Sequence, residues 1–117
     1  MTHILIVDDS ELVLDWAKAA LTGAGLQVVA HKSPFGILEL VKQHQPSLIL
    51  LDVNMPALNG GRLCVMLKKH MSNMRIVFYS GMSSKELAET SKNSGADGFI
   101  EKSQDPATFV RDVKRFL

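Results

Sequence analysis

The chain is predicted to fold as an α/β domain, a doubly wound, five-stranded parallel sheet covered by helices on both faces. Two observations predict it. Short apolar runs alternate with longer segments of helical period, and each such segment can act as the crossover that parallel strands need. The runs are also continuously apolar where a half-exposed sheet would alternate, as in Ile4-Leu5-Ile6-Val7 and Leu48-Ile49-Leu50-Leu51. Strands of that kind are covered on both faces, which gives a three-layer domain.

The elements follow in order. Ile4 to Val7 forms the first strand and stops at Asp8-Asp9. Ser10 caps a helix whose stripe is Val13, Trp16, Ala17, Ala20 and Leu21, at spacings of three and four, and Gly23 and Gly25 end it. Gln27 to His31 is the second strand. Ser33-Pro34 supplies an N-cap and a proline at the first helical position, opening a second helix to about His44. Leu48 to Leu51 is the third strand, and it too ends at an acid, Asp52. Asn59-Gly60-Gly61 precedes a third helix through Leu63, Val65, Met66 and Leu67. Arg75 to Tyr79 is the fourth strand, ending at Ser80-Gly81. Ser83 and Glu86 have capping-box spacing for a fourth helix, which Gly95-Ala96 closes. Asp97-Gly98-Phe99-Ile100 is a short last strand ending near Lys102. Asp105-Pro106 then caps a helix with Phe109, Val113, Phe116 and Leu117 on one side.

Composition narrows the function. A length of 117 residues without linker or repeat fits one domain spanning 1–117. Thirteen Lys and Arg nearly cancel twelve Asp and Glu, so no strong field points to nucleic acid or an anionic membrane. The single cysteine, Cys64, excludes an internal disulfide framework and fits a reducing compartment. Met1-Thr2-His3-Ile4 lacks the basic stretch of a signal peptide, and no apolar run has the roughly 18 residues of a membrane span. The cytoplasm is the expected location.

The informative pattern is where the polar residues fall. Asp8 and Asp9 end the first strand, Asp52 the third and Ser80 the fourth, while Lys102 follows the fifth. Open α/β sheets bind ligands outside the carboxyl ends of their strands, so three carboxylates, a hydroxyl and an ammonium should converge. Unit charges ~4 Å apart repel by about 4 kcal/mol at an effective dielectric near 20. A hard divalent cation relieves that repulsion through oxygen ligands, and Lys102 and Ser80 suit phosphoryl oxygens. Such a site is prepared for a phosphoryl group, with one aspartate as nucleophile.

Ile6-Val7-Asp8-Asp9-Ser10, Leu51-Asp52-Val53-Asn54-Met55-Pro56 with Gly60, Ser80-Gly81 and Lys102 together resemble the receiver domain of two-component response regulators. The resemblance covers essentially the whole chain. It implies a flavodoxin-like sandwich with strand order 2-1-3-4-5. It also implies that Asp52 accepts phosphate from a histidine kinase, a histidine phosphotransfer protein or a small donor. Mg²⁺ (or Mn²⁺) would be held by Asp9, Asp52 and the backbone carbonyl of Asn54, with Asp8 helping through water. Lys102 would contact the phosphoryl group, Ser80 would move to bond it, and Phe99 would rotate inward in turn. Gly81 leaves room for the group. The implied readout surface, for a downstream effector domain or target, is the fourth helix, fifth strand and fifth helix. No nucleic-acid or membrane partner is implied for the domain itself.

Three features depart from the family's pattern or tune it. Ser103 follows Lys102 where proline is usual, and a cis bond before a non-proline residue costs about 2.5–4 kcal/mol, so this loop is expected to be more mobile than usual. Phe99 stands where tyrosine is common, leaving its switch to packing alone. Asn54 and Met82, two residues beyond Asp52 and Ser80, stand at the positions that, by the resemblance, flank the path of the hydrolytic water.

The remaining residues take plainer readings. His3, His31, His44 and His70 share no metal-ligand spacing, and Cys64 and Trp16 read as core. Met66, Met71, Met74 and Met82 do not compose a groove. Three rival readings differ in signature. A haloacid-dehalogenase-type phosphatase would place its acids two apart after the first strand. A flavodoxin-like nucleotide binder would need a phosphate loop where Asp8-Asp9 would repel phosphate. A receiver that signals without phosphate would normally have lost one of the five polar positions, and none is lost here.

Overall fold

In a computed structural model of the chain, residues 3–55, 58–102 and 105–117 are described, Leu58 by its backbone alone. The elements run β1 (His3–Val7), α1 (Glu11–Gly23), β2 (Gln27–His31), α2 (Ile37–His44), β3 (Leu48–Leu51), β4 (Asn54–Met55), β5 (Leu58–Asn59), α3 (Gly60–His70), β6 (Ile76–Ser80), α4 (Ser84–Ser94), β7 (Gly98–Glu101) and α5 (Pro106–Lys114). The main sheet has the order β2-β1-β3-β6-β7, all parallel. Counted over its own strands, that is the expected 2-1-3-4-5.

Strand alternation sorts the core into two halves. Leu5, Val7, Ile49, Leu51, Ile76 and Phe78 face α2, α3 and α4, meeting Ile37, Val41, Leu63, Cys64, Leu67 and Leu87. Their neighbours Ile4, Ile6, Leu48, Leu50, Val77 and Tyr79 face the other way, onto Leu14, Ala17 and Leu21 of α1 and Phe109 and Val113 of α5. Every residue of β1 from Ile4 onward, of β3 and of β6 is buried, as continuous apolar runs require. Leu14 is deeper than the stripe neighbours Val13, Trp16 and Ala20, which are only partly covered.

Side chains cap four of the helices, three of them at the residues the sequence suggests and α3 at Asn59. Ser10 accepts from the Val13 N–H, Asn59 from Gly61 and Arg62, Ser83 from Glu86 and Asp105 from Thr108. The second helix departs from expectation. It does not open at Ser33-Pro34; Ser33 instead accepts from the Phe35 N–H at 3.1 Å in a tight turn, and α2 begins at Ile37. Gly36, at φ 78°, stands in the left-handed region and interrupts any helix running from Pro34. The apolar pair Ile37 and Val41, four apart, sets the new start. A second unforeseen element is the small antiparallel pair β4–β5, in which Asn54 faces Asn59 and Met55 faces Leu58. The expectation for Ser103 lies outside the described residues.

At the opposite edge from the polar cluster, Asp97 ties three segments together. Its Oδ2 accepts from Lys68 Nζ at 2.6 Å and from the Ile76 N–H at 2.8 Å, while Lys68 also donates to the Met74 carbonyl. Burial pushes the Asp97 carboxyl up, but the Lys68 and Ile76 bonds outweigh it and hold the group below its ordinary value of 3.8. A depressed native pKa contributes stability above the unfolded value, and that contribution is lost as pH falls through the native one. Asp97→Asn is therefore expected to cost about 1 kcal/mol at neutral pH, a modest figure because the side chain is 39% exposed. Urea melts of the two proteins should converge as pH drops below about 4, and a constant difference would contradict this assignment.

Candidate functional site

Parallel ladders deliver the polar residues to one rim. The Asp8 N–H bonds the His31 carbonyl at 3.2 Å, the Asp52 N–H bonds Val7 at 2.9 Å, and the Lys102 N–H bonds Ser80 at 2.8 Å. Each residue thus continues its strand's pairing by one position. Continuing the alternation as well places Asp8, Asp52 and Lys102 on the face shared by Ile6, Leu50 and Ile100, toward α1 and α5. Ser80 and Phe99 alternate to the other face, where Phe78 and Phe99 are register partners.

The three acids come together. Carboxylate oxygens of Asp8, Asp9 and Asp52 lie within 4.8 Å of one another. Their environments differ: Asp8 is 1% and Asp52 5% exposed, whereas Asp9 is open to solvent. Asp8 Oδ1 accepts from the Ser10 N–H at 2.9 Å, and Asp52 Oδ1 from the Asn54 N–H at 3.3 Å. Lys102 Nζ stands 2.8 Å from Asp8 Oδ2 and 3.8 Å from Asp52 Oδ1. The closer approach falls outside hydrogen-bond geometry, so Asp8 Oδ2 is buried with its charge compensated but no directional donor. Burial raises the Asp52 carboxyl above its ordinary value; Lys102 opposes this, while Asp8 and, less strongly, Asp9 push the same way as burial.

A buried carboxylate oxygen that lacks a hydrogen-bond donor, beside two further acids, is part of the donor set that a hard divalent cation takes, all oxygen and net negative. The residues therefore fit a divalent metal.

Ser80 is fully buried, and its Oγ accepts from the Met82 N–H at 3.3 Å; a hydroxyl that accepts in this way still has a proton to donate. Met82 and Phe99 are half-buried against the α2–α3–α4 half of the core, and Gly81 is exposed. Gly60 has a steric role that the motif alone did not explain. A Cβ there would collide with the Asp52 carbonyl oxygen and lie 2.8 Å from Val53 Cα. The start of α3 is thereby pressed against the backbone that carries Asp52. Gly60→Ala is expected to destabilise the fold by about 1–3 kcal/mol, because the obstructing atoms are backbone; a neutral effect in thermal melts would contradict the close approach.

One residue escaped the sequence reading. Tyr79 is 2% exposed, and its ring centroid lies 5.5 Å from Lys102 Nζ. The signal that could have found it is parity, since Tyr79 shares the α1–α5 face with the strand that ends in Lys102.

Comparison with known proteins agrees with this geometry. Residues 4–114 match the family described as "Response regulator receiver domain". The chain is similar to the polar-differentiation response regulator DivK of Brucella ovis, at 23% identity over 97% of this chain and 94% of that protein. It also resembles the transcriptional regulatory protein CseB of Streptomyces avermitilis, at 28% identity over 99% of this chain and 49% of that one. Among solved structures, chemotaxis protein CheY4 of Vibrio cholerae superposes with a TM-score of 0.90 at 25% identity, covering 100% of this chain and 99% of that one. A CheY-like receiver domain from Methanospirillum hungatei gives 0.85 at 29% identity, over 98% and 92%. With a family match over nearly its whole length and the acids gathered at the strand ends, the chain belongs to the response regulator receiver domains of two-component signalling.

Proposed function

We propose that Asp52 accepts a phosphoryl group in a Mg²⁺-dependent reaction and that the charged form presents an altered docking surface. The observation that carries this reading is the buried Asp52 carboxylate, clustered with Asp8 and Asp9 and 3.8 Å from the Lys102 ammonium, with its pKa raised. A carboxylate oxygen of Asp52 attacks phosphorus in line, the bond from phosphorus to the donor's leaving atom breaks, and an acyl phosphate forms. Lys102 supplies a positive charge to the oxygens of the transferring group, and the Ser80 hydroxyl can donate to one of them. Mg²⁺ or Mn²⁺, held by Asp9, Asp52 and the Asn54 carbonyl with Asp8 reached through water, would neutralise the developing charge.

The phosphoryl group carries about −2 charge where the carboxylate carried −1, and it biases a two-state equilibrium through Ser80 and Phe99. The donor is a histidine kinase or histidine phosphotransfer protein, and the output passes through α4, β7 and α5 to an effector. Residues 1–117 act as one such module, working in the cytoplasm. The protein phosphorylates and dephosphorylates itself and turns over no external substrate beyond its donor.

Asn54 and Met82 tune the lifetime of the acyl phosphate by flanking the path of the hydrolytic water. Met82→Glu is expected to change the decay rate, followed as loss of the phosphoryl adduct after donor removal; equal rates would remove Met82 from this role. The function itself is tested with acetyl phosphate and Mg²⁺. One trapped phosphoryl group per chain supports it, and sustained release of phosphate from an aryl phosphate would favour a phosphatase instead.

A further inference from the structure

We infer that Tyr79 is a positioning residue for Lys102, its ring serving as a platform that holds the ammonium between Asp8 and Asp52. The inference rests on the phosphoacceptor reading for its consequence, but not for its geometry. Lys102 Nζ stands 5.5 Å from the Tyr79 ring centroid, 2.8 Å from Asp8 Oδ2 and 3.8 Å from Asp52 Oδ1. A cation within about 6 Å of an aromatic face is attracted by the ring quadrupole, more strongly where water is excluded. Here the ring is 2% exposed and the lysine side chain 25% exposed, so both are largely withdrawn from water.

The platform is itself braced. The Tyr79 centroid lies 4.9 Å from that of Phe109, and Phe109 lies 5.2 Å from Trp16, with tilted rings at both contacts. An aromatic column thus runs from the lysine through α5 to α1, and its stiffness fixes where the Tyr79 face sits. Lysine needs such help, because its flexible stem and pointlike charge do not define a direction. Charge alone would draw Nζ onto Asp8, the nearer acid, whose Oδ2 offers no hydrogen-bond geometry in return. Nζ meets that acid at 2.8 Å, and the ring below limits how it can swing about the contact, keeping it 3.8 Å from Asp52. A purely space-filling role for Tyr79 would be met equally well by leucine, and that difference is measurable.

The test uses the full chain as wild type, Tyr79→Phe and Tyr79→Leu. The Lys102 ε-methylene resonance, identified by its loss in Lys102→Arg, is expected upfield in wild type and Tyr79→Phe and at the solvated-lysine position in Tyr79→Leu. Phosphoryl uptake from acetyl phosphate at saturating Mg²⁺ is expected to slow about tenfold in Tyr79→Leu, equivalent to ~1.4 kcal/mol, and to recover in Tyr79→Phe. A wild-type resonance at the solvated position, or Tyr79→Leu matching wild type in rate, would overturn the assignment. If Tyr79→Leu does not fold, the wild-type and Tyr79→Phe resonances decide it. If wild type takes up no phosphoryl group, the phosphoacceptor reading fails while the resonance still decides whether Tyr79 holds Lys102.

Discussion

Lys102→Met is expected to slow phosphoryl uptake from acetyl phosphate by about 100-fold or more, the loss typical of one preorganised charge aimed at a transition state. The ammonium is the only described cation paired to the buried acids, at 2.8 Å from Asp8 and 3.8 Å from Asp52. Without it the Asp52 carboxyl should rise further, because Lys102 is the strongest influence holding it down. The same substitution should tighten Mg²⁺ binding, since it removes a competing positive charge from three clustered carboxylates. Slow uptake with tighter metal binding in a calorimetric titration is the expected pair of results. Unchanged uptake would place the lysine outside the chemistry.

Phe109→Ala is expected to lower stability by about 3–5 kcal/mol, the range for truncating a buried phenylalanine. Phe109 is fully buried and touches both Tyr79 and Trp16. Because Trp16 is the sole tryptophan, its emission should shift to the red as the column opens. A loss below about 1 kcal/mol in urea melts, or unchanged emission, would show that the cavity collapses and that the column is not a packed unit.

Much of the architecture was readable because its determinants are local. The β1 and β3 runs declare strands covered on both faces, and their terminal acids declare the rim, so the gathering of Asp8, Asp9 and Asp52 followed from topology. What was not readable depends on pairing across the chain. The start of α2 turned on the left-handed conformation of Gly36, which Ser33-Pro34 obscured by imitating a cap. The β4–β5 pair spans two residues per strand, too short for any periodicity to register. Asp97 was read as strand, yet its carboxylate bonds Lys68 and Ile76, segments distant in sequence.

Within the site, residue types were legible and relative distances were not. The motif treats Asp8 as an assistant to Asp52, while the structure makes it the more deeply buried acid and the nearer partner of Lys102. Tyr79 carries no motif at all. Only the shared face of two neighbouring strands brings its ring under the lysine.

The central claim is that Asp52, and not its neighbours, bears the phosphoryl group. After incubation with acetyl phosphate and Mg²⁺, borohydride reduction converts an aspartyl phosphate to homoserine at the modified position, which peptide mass spectrometry locates. Homoserine at position 52, and none in Asp52→Ala, is the expected result. Homoserine at position 8 or 9, or at no position, would contradict it.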